Sequence, residues 1–288
     1  MITSKIIADS IYREARITTF ELEYPRFIHS EFMTHRMFSR NCASSRAIPI
    51  ATVLKHIKDA PAAPIHWGRN ESGMQANTEL TGLDLLAAKS LWDRAMTQSL
   101  MYAAELGNLG AHKQIVNRIT EPYQHMKTVV TATEWDNWFE LRNHNDAQPE
   151  IHELAFLMAI DMRNSNPVEL ELGEWHVPYV IRRAVPERIF YIDLNGTELT
   201  LEQALRISAS CCAQVSYRKT DDSIEKATHV YNRLVSMNPK HSSPFEHQAT
   251  PIDIEDAEVW LPGVTHLDKE GVQWSANFSN WIQYRQVM

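Results

Sequence analysis

Residues 17–24 read ITTFELEY, with Phe20, Leu22 and Tyr24 alternating against Thr19, Glu21 and Glu23. That period of two belongs to a strand with one face buried. Pro25 follows at once and ends it. A strand so patterned needs a covering layer, and the rest of the chain supplies helical periodicity for it. A helix is predicted over residues 26–38, with Ile28, Phe32, Met33 and Met37 on one face. A long helical pattern runs over 82–106 and stops at Gly107, and TVVTAT at 128–133 reads as a short strand or a helix entry. Trp135, Trp138 and Phe139 form an apolar stripe, with Arg142 on the same face. A helix over 147–163 takes Pro149 in its first turn and turns Ile151, Leu154, Ala155, Met158 and Met162 inward.

A further helix over 222–237 opens on Asp222-x-x-Glu225, a capping-box-like start, with Ile224, Ala227, Tyr231, Leu234 and Val235 as its stripe. Residues 50–78 look irregular, and the alternation in IDIEDAEVW after Pro251 suggests one more strand. Nine glycines in 288 residues point to helices rather than many tight hairpins. The chain therefore reads as α/β of the α+β type, a mostly antiparallel sheet with flanking helices. It shows no repeat and no Gly-, Ser- or Pro-rich linker, so residues 1–288 form one domain.

Lys and Arg number 28 against 36 Asp and Glu, a net charge of −8, which disfavours coating nucleic acid through its phosphates. A small basic pocket for one phosphate is still open to such a chain. Three cysteines, Cys42, Cys211 and Cys212, make neither a CxxC nor a disulfide framework, so a reducing compartment is expected. The charged N-terminus is no signal peptide, and no stretch approaches the ~18 apolar residues of a membrane span. The expectation is a cytoplasmic protein without a membrane partner. The 13 histidines show no zinc-binding spacing. There is no P-loop, no GxGxxG, no HExxH and no GxSxG, so an active site would be assembled from scattered polar residues.

The densest polar stretch is Thr34-His-Arg-Met-Phe-Ser-Arg-Asn-Cys-Ala-Ser-Ser-Arg46. On a helix, Glu31, His35 and Ser39 would stack at i, i+4 and i+8. Arg36, Arg40 and Arg46 with Asn41, Ser44 and Ser45 are what a phosphate needs: charge-assisted, bidentate bonds with short hydroxyls alongside. The alternative is a solvated helix end whose arginines pair with the acidic excess.

This segment resembles the His-Arg-x-x-Ser-x-Asn-x-x-Ser-x-Arg core of the flavin-dependent thymidylate synthases through His35, Arg36, Ser39, Asn41, Ser44 and Arg46, with Pro25 where that family's strand-to-helix proline stands. Thr34 replaces the arginine that opens the family's signature. His241-Ser-Ser-Pro-Phe-Glu-His247 is similar to the family's His-x-Ser/Thr-Pro-x-Glu-His segment, and Ala213-Gln-Val-Ser-Tyr217 to its Val-Ser-Tyr start. Arg118 with Glu121-Pro122, Trp138-Phe-Glu-Leu-Arg142 and Ala147-Gln-Pro-Glu-Ile151 resemble further elements of it. The order differs: the Val-Ser-Tyr and Glu-His segments come last here and first in the family, as a circular permutation would leave them. On this reading residues 50–106 are an insertion, and 251–288 are a C-terminal extension.

The resemblance implies FAD as cofactor, NADPH as reductant and methylenetetrahydrofolate as one-carbon donor. It implies a dUMP-like pyrimidine deoxynucleotide as acceptor, converted to dTMP, and a homotetramer whose sites are shared between subunits. It places His35, Arg36, Ser39, Asn41, Asn137, Ser216, His241, Ser243 and Glu246 around the cofactor. Glu31, Cys42, Ser44, Ser45, Arg46, Arg118 and Arg142 fall around the nucleotide, with Arg142 and Ser44 catalytic. No metal is implied. Glu31 stands for a glutamine and Cys42 for an acidic or amide residue, while Thr131 and Thr133 stand near an Asn-x-Arg pair. These changes open three alternatives: another pyrimidine, hydroxymethyl transfer, or a non-catalytic nucleotide-binding module.

Arg142 is supported from the residues alone, because a buried arginine needs an anion or a carbonyl. Its alternative is a salt bridge to Glu134 or Glu140. Cys42 is either a reactive thiol or a small buried residue, and Cys211 and Cys212 read as core. The segment Asn277-Phe-Ser-Asn-Trp-Ile-Gln-Tyr-Arg285 is either a packed terminal helix or a stacking surface built on Trp281, Tyr284 and Arg285.

Overall fold

The computed structural model describes residues 1–216, 220–252, 260–261, 263–268 and 270–288. The expected strand is present as β2 (Ala15–Pro25), but it is joined by a hairpin to an N-terminal strand β1 (Thr3–Tyr12) that the sequence reading missed. With β3 (Ser39–Cys42), β4 (His125–Ala132) and β5 (Val168–Glu169) they form a sheet in the order β3-β4-β2-β1-β5, antiparallel except for the β1–β5 edge.

The helix predicted over 26–38 is corrected. A 3-10 turn (Arg26–Ile28) and a four-residue helix α1 (His29–Phe32) take its place, and the chain then enters β3. Thr34 Oγ1 donates to the Glu31 carbonyl at 2.7 Å and closes the turn. The Thr34, His35 and Phe38 N–H groups make turn bonds to the Glu31, Phe32 and His35 carbonyls in place of helical ones, and Ser39 through Cys42 then pair with β4. Ile28 and Phe32 are buried as expected, but Met33 and Met37 are exposed and Phe38 is the residue that turns inward. Residues 50–59, read as irregular, are helix α2 (Ile50–Asp59), which buries Val53 and Ile57. They pack with Leu100 of the long helix α3 (Gly82–Asn108). A short helix α4 (Lys113–Val116) and a 3-10 turn (Asn117–Tyr123) lead into β4.

Helices α5 (Asp136–Arg142) and α6 (Pro149–Asn164) cover one face of the sheet. There Phe20, Leu22 and Tyr24 meet Trp135, Trp138, Ile151, Leu154 and Met158 in the largest core cluster. The opposite face is covered by the second half of the chain. The three-stranded sheet β6 (Ile181–Val185), β7 (Arg188–Ile192) and β8 (Glu198–Leu199) packs beside α7 (Leu201–Ala213) and α8 (Ile224–Ser236). Cys211 and Cys212 are core as expected, and Cys212 and Val215 close on Val129 of the main sheet. Helix α7 was not foreseen, although Thr200 and Gln203 form a full capping box at its start. At α8 the capping reading is corrected: Ser223, not Asp222, accepts the Lys226 N–H, and only Ala227 of the expected stripe is fully buried.

Strand β9 (Ala249–Pro251) pairs with β12 (Trp281–Gln283) near the C-terminus, and β10 (His266–Leu267) pairs with β11 (Gln273–Trp274). The expected terminal helix and stacking surface are both overturned. The tail is a strand and a 3-10 turn (Tyr284–Gln286), and Trp281 is fully buried with Phe278, Tyr12 and Ile17. The strand expected in IDIEDAEVW lies mostly outside the described residues, as does Tyr217.

A chain of buried side-chain hydrogen bonds runs beneath the second layer. Ser10 bonds His176 Nδ1 (2.9 Å), His176 Nε2 meets Thr19 (2.7 Å), Thr19 meets Thr131 (2.7 Å), and Thr131 meets His247 Nδ1 (2.8 Å). Burial holds both imidazoles at about 3, so both are neutral.

Candidate active site

The loss of the long helix separates Glu31, His35 and Ser39, which no longer stack in one row. Glu31 and His35 still meet, through a residue from another element. Arg142, the last residue of α5, forms an ion pair with Glu31. Its Nε donates to His35 Nε2 at 3.1 Å, and its Nη2 donates to Thr34 Oγ1 at 3.4 Å. Arg142 is thus paired as a partly buried arginine must be, but with Glu31 rather than Glu134 or Glu140. Burial, then the Arg142 and Arg40 guanidiniums, bring the His35 imidazole down to about 4. Trp138 sets its edge against the His35 ring at 4.8 Å, and Arg40 Nη1 donates to the His35 carbonyl at 2.9 Å. The histidine is neutral and fixed, with Nε2 as acceptor and the proton on Nδ1.

Glu31 and Arg142 line an open cleft of about 1310 Å³, together with His66, Gly68 and Met74. A second cavity of about 590 Å³ lies between the sheet and α2. Of the expected residues only Ser216 lines it.

Strand β3 carries the next group. Asn41 Nδ2 donates to the Cys212 carbonyl at 3.2 Å, and the Ser44 N–H donates to Ser216 Oγ at 2.9 Å. Residues 171 and 172 positions apart in the chain are therefore in direct contact. Strand β3 also packs on the 3-10 turn Ser243–Glu246. Three segments of the sequence resemblance, around Asn41, Ser216 and Glu246, form one locale. Cys42 is half-buried and burial pushes its thiol up, which disfavours the reactive reading.

Ser45 donates to Glu121 at 3.1 Å, and Asn117 donates to the Ser45 carbonyl at 2.7 Å. Arg46 and Arg118, each next in the chain to one of these bonded residues, come to the same stretch of surface. Both are exposed, and neither forms an ion pair among the described residues. Arg36, Asn137 and His241 are likewise exposed, and their side chains bond no described residue. Ser243 is half-buried.

Two expected cofactor contacts are already engaged within the chain. Ser39 is 1% exposed and accepts amide donors from Gln283 (2.9 Å) and Asn277 (3.3 Å). The Glu246 carboxylate pairs with Arg285, and its carbonyl accepts from Gln283 at 3.0 Å. Ser39 thus anchors the tail instead of facing a ligand. Neither Gln283 nor Asn277 was singled out by the sequence reading. Their signal, isolated amides in an aromatic tail, carries no spacing.

The remaining set fits a flavin dinucleotide. Asn41 Oδ1 is buried without a hydrogen-bond partner, an acceptor awaiting a donor such as a ring N–H. Arg36, Asn137 and His241 offer free donors suited to phosphate and carbonyl oxygens. Among the described residues no cluster of His, Cys, Asp and Glu could hold a metal ion. No helix among them is long and apolar enough to cross a membrane.

A family model described as thymidylate synthase complementing protein matches residues 10–168, more than half of the chain. The match runs through residues 50–106 and ends before the Val-Ser-Tyr and Glu-His segments. The UMP/dUMP methylase PolB from Streptomyces cacaoi, solved with 5-Br dUMP, is similar at 16% identity and TM-score 0.44, over 56% of this chain and 90% of that one. The same enzyme solved with 5-Br UMP gives 16% identity and TM-score 0.46, over 56% and 88%. Among curated proteins, none matches the chain in sequence.

Proposed function

Since the chain belongs to the thymidylate synthase complementing family, the flavin-dependent thymidylate synthases, we propose that it transfers a one-carbon unit from methylenetetrahydrofolate to C5 of a pyrimidine deoxynucleotide, dUMP to dTMP, using FAD and NADPH. The carrying observation is the convergence of β3 with the segments around Ser216 and Glu246, which the chain order alone would keep apart. The same convergence supports the permuted order of the motifs.

FAD, when bound, supplies the redox and carbon-relay chemistry that protein side chains lack. His35, Arg36, Asn41, Asn137, Ser216, His241 and Ser243 would hold it. Arg142 is the catalytic candidate: it faces the cleft, and a guanidinium there stabilises charge developing on a pyrimidine carbonyl. His35 orients it by accepting from Nε, and Glu31 sets its outer edge. Ser44, Ser45, Arg46 and Arg118 serve the nucleotide's phosphate end, where the two exposed guanidiniums neutralise its charge. A site with so many outward-facing cations suits completion by neighbouring subunits of a homotetramer.

The test is a visible absorption spectrum after FAD is added and the protein is gel filtered, followed by turnover with NADPH and methylenetetrahydrofolate. dUMP, UMP and dCMP are offered in parallel, and products are identified by mass. Retained flavin bands and dTMP formation support the reading. A methylated or hydroxymethylated product from another base would replace the substrate and keep the flavin. Failure to retain FAD would remove the flavoenzyme mechanism and leave a nucleotide-binding module.

A further inference from the structure

The C-terminal segment reaches the candidate site at several points, and nothing in the reading above uses it. Asn277 and Gln283 bond Ser39, and Gln283 bonds the Glu246 carbonyl. The Ser279 N–H donates to Thr133 Oγ1 at 3.0 Å, and Arg285 pairs with the Glu246 carboxylate. The segment is built in rather than laid on. Phe278 and Trp281 are fully buried, and β12 pairs residue for residue with β9. Gln283 and Gln286 cap the last turn reciprocally, and Gln286 Nε2 meets His266 Nε2 at 2.9 Å. Such a segment cannot swing aside without exposing two large aromatic side chains.

We propose that this segment is a fixed wall of the candidate cofactor site and that Arg285 is a cofactor-binding residue, offering its guanidinium to the diphosphate of the dinucleotide. The inference rests on the flavin reading above. Glu246 engages one nitrogen of Arg285, and the Arg285 side chain is 50% exposed against 16% for Glu246. A guanidinium carries five N–H donors in a rigid fork, so the rest stay available to an anion. Arg40 also feels the Glu246 charge. The Glu246 pair fixes the Arg285 side chain in advance, and a preorganised cation loses less freedom on binding.

The experiment titrates full-length apoprotein with FAD and separately with riboflavin, which lacks the phosphates. Flavin fluorescence is the readout for wild type, Arg285→Gln and Arg285→Lys, with the thermal midpoint of each apoprotein measured alongside. Arg285→Gln should weaken FAD binding by about tenfold or more, as the loss of a charge-assisted contact does. It should leave riboflavin binding unchanged and flatten the salt dependence of FAD binding. Arg285→Lys should recover part of the loss. The apoprotein midpoint should stay within ~2 °C, because an exposed ion pair contributes little. Equal FAD affinity in wild type and Arg285→Gln would overturn the assignment and leave the flavin reading standing. A loss of affinity that appears equally with riboflavin, or follows a fallen midpoint, would reduce Arg285 to a structural role and overturn it too. Wild type that takes up no FAD would remove the flavin reading and this inference with it.

Discussion

Replacing His247 with asparagine tests the neutral hydrogen-bonded chain that runs from Ser10 to His247. Burial is the main cause that holds His176 and His247 at about 3 in the folded protein, with the neighbouring His176 lowering His247 further. In the unfolded chain each titrates at about 6.5. Both folded values are depressed, so the stability they carry is complete above pH ~6.5 and is lost as the pH falls toward 3. Each proton taken up on unfolding contributes about 1.4 kcal/mol per pH unit. Between pH ~6.5 and 4.5 the pair therefore forfeits about 5 kcal/mol, comparable with the whole stability of many proteins.

Asparagine places an amide near the position of Nδ1, so the bond to Thr131 can persist while the titrating group is gone. Its cost at pH 7.5 should be about 1–3 kcal/mol, mostly from lost packing. The informative quantity is the slope of unfolding free energy against pH from 5 to 6. It should fall by one proton, about 1.4 kcal/mol per pH unit, relative to wild type. Urea unfolding followed by tryptophan fluorescence measures it. An unchanged slope would mean that His247 keeps its proton in the folded state, and the argument from burial would be refuted.

Trp281→Ala should cost about 3–5 kcal/mol and lower the thermal midpoint by ~10 °C, read by calorimetry, because a fully buried indole leaves a cavity between Phe278, Tyr12 and Ile17. Ser39→Ala leaves the Asn277 amide and one N–H of Gln283 without their acceptor, while the other Gln283 N–H keeps the Glu246 carbonyl, and urea unfolding should show a loss of about 1–3 kcal/mol. Arg142→Gln should lower kcat/KM for the pyrimidine nucleotide by about 100-fold. Far smaller losses in steady-state assays would return Arg142 to a purely structural ion pair with Glu31.

The sequence reading and the structure part company at identifiable residues. Residues 17–24 and the apolar positions of α6 are strongly periodic, and each forms the element its period predicts. Residues 26–38 have an equally helical pattern, yet only Arg26–Phe32 form helical turns and the chain then runs through turns into β3 at Ser39, so tertiary context overrides the local preference. Strand β1 and helix α7 went unread for the opposite reason. The sequence between Thr3 and Tyr12 has no clean alternation, and α7 is buried along much of its surface, so it lacks a polar stripe. The tail misled because Trp281 looks like a stacking platform until β9 covers it.

By itself the chain determined its family, the polar cluster from His35 to Arg46, and the candidacy of Arg142, because residue type and spacing carry that information directly. Only tertiary structure decided which partners those residues take. It set Arg142 on Glu31 and His35, brought Asn41 and Ser44 against Cys212 and Ser216, and turned Ser39 into the anchor of the C-terminal segment. The reason is physical: hydrogen bonds and ion pairs act over about 3 Å in space, so contacts between residues more than a hundred positions apart have no local signature.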